Sequence, residues 1–311
     1  MNASSNDSHF NIGEGMEPIV LYCKSYRGDV FRAQRLALSI QKFNDDEIPF
    51  YVSVPEVDMP LFKEHLAELK VTFICDEEII SANPKHSLER IRLMPGNLSQ
   101  QVVKSEFWRL GLSENYVCLD SDNEFIRKFN KSDFLAPDGI PYTVITEGKE
   151  FLEFSARYYL PKVPVNFKKD SRQVQELFGR SGRIYSFGIP PLIWSRKVWL
   201  SLEVELLNPR GQSFADLIVQ FPHELRLYGE TLLKYRAIPL WPCEDIFKNY
   251  LYQSQFFFDK KRGITIDILS KNYLGIVRQS NWEGEHFGAP KKSIASRFIK
   301  KIKKFLRWLS V

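Results

Sequence analysis

Two aspartates separated by one residue, Asp120 and Asp122, follow the apolar run 116–119 (YVCL), with Ser121 between them and a second apolar patch at Phe125 and Ile126. A run of that kind reads as a buried strand, so the triplet stands at a strand's carboxyl end, where open α/β sheets bind ligands. Carboxylates spaced this way suit a hard divalent cation, held directly or through water, of the sort that bridges substrate phosphates. Asp and Ser are also good turn residues, and a plain turn would use the same three side chains. A second candidate is Glu224 in 221–230 (FPHELRLYGE), at the opening of a helical stretch that ends near Tyr235. The helix dipole favours a first-turn Glu for structural reasons as well. A third is His286 in 279–288 (QSNWEGEHFG), among glycines that allow close backbone approach to a ligand; the plain alternative is a polar loop histidine. The chain holds no GxSxG, HExxH, Walker A or GxGxxG signature, so those chemistries lose their usual warrant.

The elements that would position these groups form a regular series. Residues 18–23 (PIVLYC) have a buried-strand pattern, followed by the polar turn KSYRGD and helical spacing over 30–43. A strand at 50–54, a helix near 60–69 and a strand at 71–75 continue it. This spacing predicts right-handed βαβ units and a parallel sheet with helices on both faces. Residues 76–98 read as irregular because of Pro84, Pro95 and Gly96, and Ser99 is expected to cap a helix running to about Leu110. Residues 185–195 (YSFGIPPLIWS) read as a rigid connection around Gly188 and two prolines. The body is therefore expected to be a single α/β domain over 18–290, behind a polar lead, 1–17, with a less regular second half.

With 311 residues, 44% apolar and 14% aromatic, the chain can bury a substantial core, which excludes wholesale disorder. No apolar stretch approaches the ~18 residues that span a bilayer. The lead lacks the basic-then-apolar order of a secretory signal. Four cysteines without a CxxC pair read as buried free thiols rather than as a disulfide framework or a zinc site. Eight Lys and Arg and no acids fall in 291–311, leaving 35 basic against 38 acidic groups elsewhere, so a nucleic-acid partner is not expected of the body. In that tail Ile294, Phe298, Ile302, Phe305 and Leu309 make one apolar stripe. A basic amphipathic helix on an anionic membrane surface has this pattern; a helix packed on its own domain is the alternative. Cytoplasmic location, peripheral on the inner face of the membrane, is the expectation.

The βαβ series, the helix carrying Lys104 ahead of the strand, and LDSDNEFIR together resemble the nucleotide-sugar glycosyltransferases of GT-A fold, in particular a family of small bacterial GT-A-type proteins. The resemblance covers roughly residues 18–290 and is also carried by KSYRGD, FGIPPLIWS, HELRLYGE and LGIVRQSNW. It implies a Rossmann-related α/β domain with a mixed central sheet. It also implies metal-dependent transfer of a sugar from a nucleotide-diphosphate donor, a UDP-sugar first, to a growing lipid-linked glycan. By this resemblance Asp120 and Asp122, with Ser121 between them, hold Mn²⁺ or Mg²⁺ and the donor, with His286 as a further metal ligand. Tyr26 and Asp29 become base or ribose contacts, and Lys104 and Arg27 add fixed positive charge against the leaving diphosphate. Glu224 becomes general base or anchor on the acceptor side, and Gly188 lets the acceptor approach the backbone. Two rivals stand beside it: a catalytically silent, membrane-tethered sugar- or nucleotide-binding module, and a metal-dependent phosphotransfer or hydrolytic enzyme.

Overall fold

Strand β1 (Glu17–Lys24) buries residues 19–23 completely, which requires a strand inside a sheet that is covered on both faces. The computed structural model that shows this describes residues 15–158 and 162–279. After β1 come α1 (Val30–Phe43), β2 (Phe50–Val54), α2 (Met59–His65), β3 (Thr72–Cys75), α3 (Asp76–Ser81), α4 (Leu88–Leu93), α5 (Gly96–Glu106), β4 (Ser113–Leu119) and β5 (Asn123–Phe125). The second half holds β6 (Tyr142–Val144), α6 (Lys149–Tyr158), α7 (Lys162–Leu177), β7 (Leu192–Ser195), α8 (Arg196–Leu202), α9 (Phe214–Gln220) and α10 (Glu224–Tyr235). It continues with β8 (Trp241–Cys243), β9 (Phe247–Tyr250), α11 (Gln253–Lys261), α12 (Ile266–Leu269) and β10 (Gly275–Arg278).

The central sheet has the order β3-β2-β1-β4-β7, with β1 to β4 parallel and β7 antiparallel to β4. The protein is thus a mixed α/β domain around one mixed sheet. Alternate residues of the middle strands divide between two cores. Val20, Tyr22, Tyr116, Cys118 and Trp194 face α5, α8, α9 and α10, whereas Ile19, Leu21, Cys23, Val117 and Ile193 face α1 and α2. Helices on both faces, expected from the sequence, are what the chain forms. Two small sheets, β5-β10-β9 and β6-β8, extend it beyond β4.

Two local expectations are corrected. Residues 76–98 hold helices: three acids, Asp76, Glu77 and Glu78, open α3, and the Ser87 hydroxyl caps α4 by accepting the Arg90 N–H at 3.3 Å. Pro95 immediately precedes α5, a position where proline is tolerated because early helical N–H groups have no intrahelical partner. Ser99 therefore lies inside the helix, its hydroxyl donating to the Gly96 carbonyl, and does not cap it. The helix ends at Glu106 and tightens into a 3₁₀ turn over Phe107–Leu110.

Glu106 is buried at the end of α5 and ties three segments together. Its carboxylate accepts from Asn83 Nδ2 at 2.9 Å, from His86 Nε2 at 2.7 Å and from Arg109 Nε. Arg109 continues to Glu203 at 2.6 Å. Burial opposes ionisation, but His86 and Arg109 outweigh it and hold the Glu106 carboxyl below the usual range. Its stabilisation is present above the ordinary glutamate pKa of about 4.3 and is lost as pH falls through the depressed folded value. Glu106→Ala removes the buried carboxylate that Asn83, His86 and Arg109 share and leaves Arg109 only Glu203, so urea denaturation should show a loss of about 3–5 kcal/mol at pH 7. The difference from wild type should shrink on acidification below pH ~4.

Candidate active site

The parallel strands β1 to β4 all end at one cleft of about 970 Å³, lined by Lys24, Tyr26 and Asp29 after β1, Asp76 after β3, and Asp120, Ser121 and Asp122 after β4. Helix α5 supplies Lys104, and α10 supplies Glu224 and Leu225. The triplet is both a turn and a ligand-facing surface, so the two sequence readings describe one feature. Asn123 builds the turn: its Oδ1 accepts the Asp120 N–H at 2.8 Å, and its own N–H donates to the Asp120 carbonyl at 3.0 Å. Its Nδ2 donates to the Pro190 carbonyl at 3.2 Å, fastening the turn to the loop before β7.

Lys104 is 3% exposed and ion-pairs with Asp120 Oδ1. Burial works against its ammonium, yet Asp120 and, further off, Glu224 hold its pKa well above the ordinary lysine range. Glu224 is pushed upward, first by burial and then by Asp120, with Lys104 opposing. The N–H of Glu224 donates to Gln101 Oε1 at 3.2 Å, joining α10 to α5. Lys24, unnoticed in the sequence, pairs with Asp76 at 2.8 Å, and burial still leaves the Asp76 carboxyl raised. Burial also pushes the Cys23 and Cys118 thiols upward, so neither is a nucleophile.

Other predicted residues take different places. Asp29 accepts from the buried Arg32 and from the Ser121 hydroxyl, the latter at 3.2 Å, so Asp29 and Ser121 join the strand-one turn to the triplet. Tyr26 stands at the rim, 45% exposed. Arg27 does not line the cleft; its backbone N–H donates to Asp58 at 2.8 Å, and its largely exposed guanidinium faces the same carboxylate at 3.8 Å. His286 and the whole segment 291–311 lie outside the described residues. Among the described residues no group of three His, Cys, Asp or Glu side chains is placed to hold a metal ion.

A second cleft of about 680 Å³ adjoins the first, and Glu224 and Leu225 line both. Its wall combines Phe151, Phe167, Phe187 and Tyr273 with Glu147, Glu150, Glu244, Asp245, Arg226 and Lys248. His223 at its edge is neutral near pH 7, because burial and Arg226 pull it down to about 4 against the pull of Asp170. Gly188 lines this cleft but is needed for another reason. Its φ is +80°, and a Cβ there would lie 2.8 Å from Val144 Cγ1, so backbone conformation and packing by themselves require glycine at this position. Asp245 had no signal in the sequence; it is an ordinary acid beside Glu244 until the fold turns it to the cleft.

Residues 17–239 match a family of unknown function (DUF6492). No curated protein matches the chain. Among solved structures, apo mouse xyloside xylosyltransferase 1 aligns with a TM-score of 0.43 at 9% identity, over 85% of this chain and 98% of that one. The apo bifunctional glycosyltransferase WbbM gives 0.45 at 11% identity, over 96% of this chain and 53% of the other, so this chain spans about half of it. Both scores are too low to bear on what the site does.

Lys104→Met removes the one cation that Asp120 and Glu224 share. Breaking such a pair from one side is expected to lower stability by about 3–5 kcal/mol at pH 8, read by urea denaturation. The loss should shrink as pH is lowered, because burial raises the Glu224 carboxyl and its protonation leaves less charge uncompensated.

Proposed function

This chain belongs to the family of unknown function DUF6492, and we propose that it transfers a glycosyl group from a nucleotide-sugar donor to a hydroxyl acceptor. The observation that carries this reading is the seam at Glu224, one side chain in the walls of two adjoining clefts. A two-substrate transfer needs two sites whose occupants meet at a junction, and holding them there removes the entropic cost of their encounter. The first cleft, at the carboxyl ends of parallel strands, suits the donor. The second, aromatic and carboxylate-lined, suits a sugar face and its hydroxyls.

Asp120 and Asp122 fit a hard cation by their chemistry: two carboxylates on one turn, of which the Asp120 side chain is 33% exposed. The cleft supports the same conclusion, since its cations Lys24, Arg92 and Lys104 each already face a carboxylate. An entering diphosphate meets an excess of negative charge there. Mn²⁺ or Mg²⁺ held by Asp120 and Asp122 supplies, when bound, the Lewis acidity that neutralises charge on the departing diphosphate. Lys104 keeps its proton and orients Asp120. Asn123 holds the turn that presents both aspartates. The ring of Tyr26 offers a flat apolar face for a base at the rim, and Glu224 anchors the acceptor at the seam.

The reading extends to location. The acceptor is lipid-linked, and residues 291–311 bring the enzyme to it from the cytoplasmic side: eight cations attract anionic headgroups, and the stripe from Ile294 to Leu309 embeds. Confinement to that surface raises the effective concentration of acceptor.

Two measurements check these statements. By titration calorimetry UDP should bind in the presence of Mn²⁺ and weaken by about tenfold or more without it, or in Asp120→Ala or Asp122→Ala. Affinity indifferent to the metal and to both substitutions would remove the donor assignment. Deleting residues 291–311 should abolish co-sedimentation with anionic vesicles and leave the melting temperature of the body unchanged. Undiminished co-sedimentation, or collapse of the fold, would return the tail to a structural role.

A further inference from the structure

We infer that Asp245, on the far wall of the second cleft, is the group that takes the proton from the acceptor hydroxyl. The inference rests on the transfer reading above and names a residue that this reading leaves unassigned.

Commitment of the other carboxylates singles it out. Glu147 is bound to Lys149 at 2.9 Å and to Arg183, and Glu224 is coupled to Lys104 across the seam. Glu150, from α6, is largely in solvent and faces Lys248 at 3.8 Å. Glu244 is exposed. Asp245 lies between β8 and β9, is partly buried, and makes no hydrogen bond or ion pair with another described residue. A carboxylate that faces a cavity with its oxygens uncommitted can receive a proton without first breaking a contact.

Its surroundings suit the task. Burial, then Glu244 beside it and Glu150 from α6, push the Asp245 carboxyl up to about 6, with Lys248 of β9 opposing. Across the cleft, α10 presents Glu224 and Arg226, and His223, down at about 4, stays neutral through this range. A base whose pKa lies near working pH combines the ionised form with real basicity.

The step balances as a direct displacement. The acceptor oxygen bonds to the anomeric carbon of the donor sugar as its proton passes to Asp245. The anomeric carbon–phosphate oxygen bond breaks, and its electron pair leaves with the nucleoside diphosphate. One displacement inverts the anomeric configuration, so the product must have the configuration opposite to that of the donor.

The experiment compares the full-length wild type, Asp245→Asn, Asp245→Glu and Glu224→Gln. UDP-glucose, UDP-galactose and UDP-N-acetylglucosamine with Mn²⁺ serve as donors, and aryl glycosides as acceptors. Asp245→Asn should bind UDP with Mn²⁺ like the wild type yet transfer about 10²-fold or more slowly. It should also lose the acidic limb near pH 6 that kcat/KM shows in the wild type and in Glu224→Gln, and Asp245→Glu should restore part of the rate. A substrate-free arm reads the same group directly. In protein labelled with ¹³C at aspartate carboxyls, a resonance absent from Asp245→Asn should titrate near pH 6. Because that raised value disfavours the ionised folded state, wild-type stability falls as pH rises through it. Asp245→Asn should therefore melt above the wild type at pH 7.5, and the gap should close below about pH 4.

Wild-type rates and pH profile in Asp245→Asn, a retained anomeric configuration, or titration of Asp245 in the ordinary aspartate range would each overturn the proposal while leaving transfer intact. A wild type that binds no UDP with Mn²⁺ overturns the transfer reading itself, and this assignment with it.

Discussion

An ammonium group taken out of water must be matched by negative charge, and Lys104 imposes that requirement at the centre of this molecule. It is almost wholly buried, it grips Asp120, and Glu224 contributes to holding its proton. The three residues come from α5, from the end of β4 and from α10. Their mutual compensation therefore holds two helices and a strand end in one arrangement, because separating any one of them would strand a buried charge. The backbone reinforces the same junction: the Lys104 carbonyl accepts from the Tyr116 hydroxyl at 3.0 Å, and Gln101 accepts from the Glu224 N–H.

From that junction the rest of the functional architecture follows. The parallel strands end together, so whatever follows each of them lines one cleft; the first strand's turn and the aspartate triplet meet there through Asp29 and Ser121. Strand β7 runs antiparallel beside β4, and the loop before it returns to the triplet, where Pro190 receives the Asn123 amide. That loop passes Gly188 into the second cleft, so the two cavities share a rim as well as Glu224. A glycine in α10 completes the junction: a Cβ at Gly229 would lie 2.1 Å from the Phe187 ring, so the helix and the loop approach as closely as they do only because that position lacks a side chain.

Much of this framework was legible in the amino-acid order. Runs such as PIVLYC and YVCL announce strands buried on both faces, because no polar side chain interrupts them, and the structure sends their alternate residues into two cores. The helix over 30–43 and the opening of α10 at Glu224 follow from local periodicity in the same way. The triplet at Asp120 was legible too, since a polar turn directly after an apolar strand is a local signal. Residues 76–98 are the exception: their prolines and glycine carry the local signature of breakers, yet Pro95 and Gly96 open a helix, where early N–H groups need no partner.

Sequence alone therefore determined what depends on neighbours in the chain: strand, helix, turn, and the presence of carboxylates at a strand end. Tertiary structure decided which charges are buried and with whom. Lys104 has the same side chain whether it meets solvent or Asp120, and nothing within a few residues tells these apart. Asp245 gained a cavity and a raised pKa because the fold buries it beside Glu244 and brings Glu150 of α6 to it from far along the chain, with Lys248 opposing. The reason is physical: hydrophobic periodicity acts over one or two turns of chain, while desolvation and Coulomb interaction act through space.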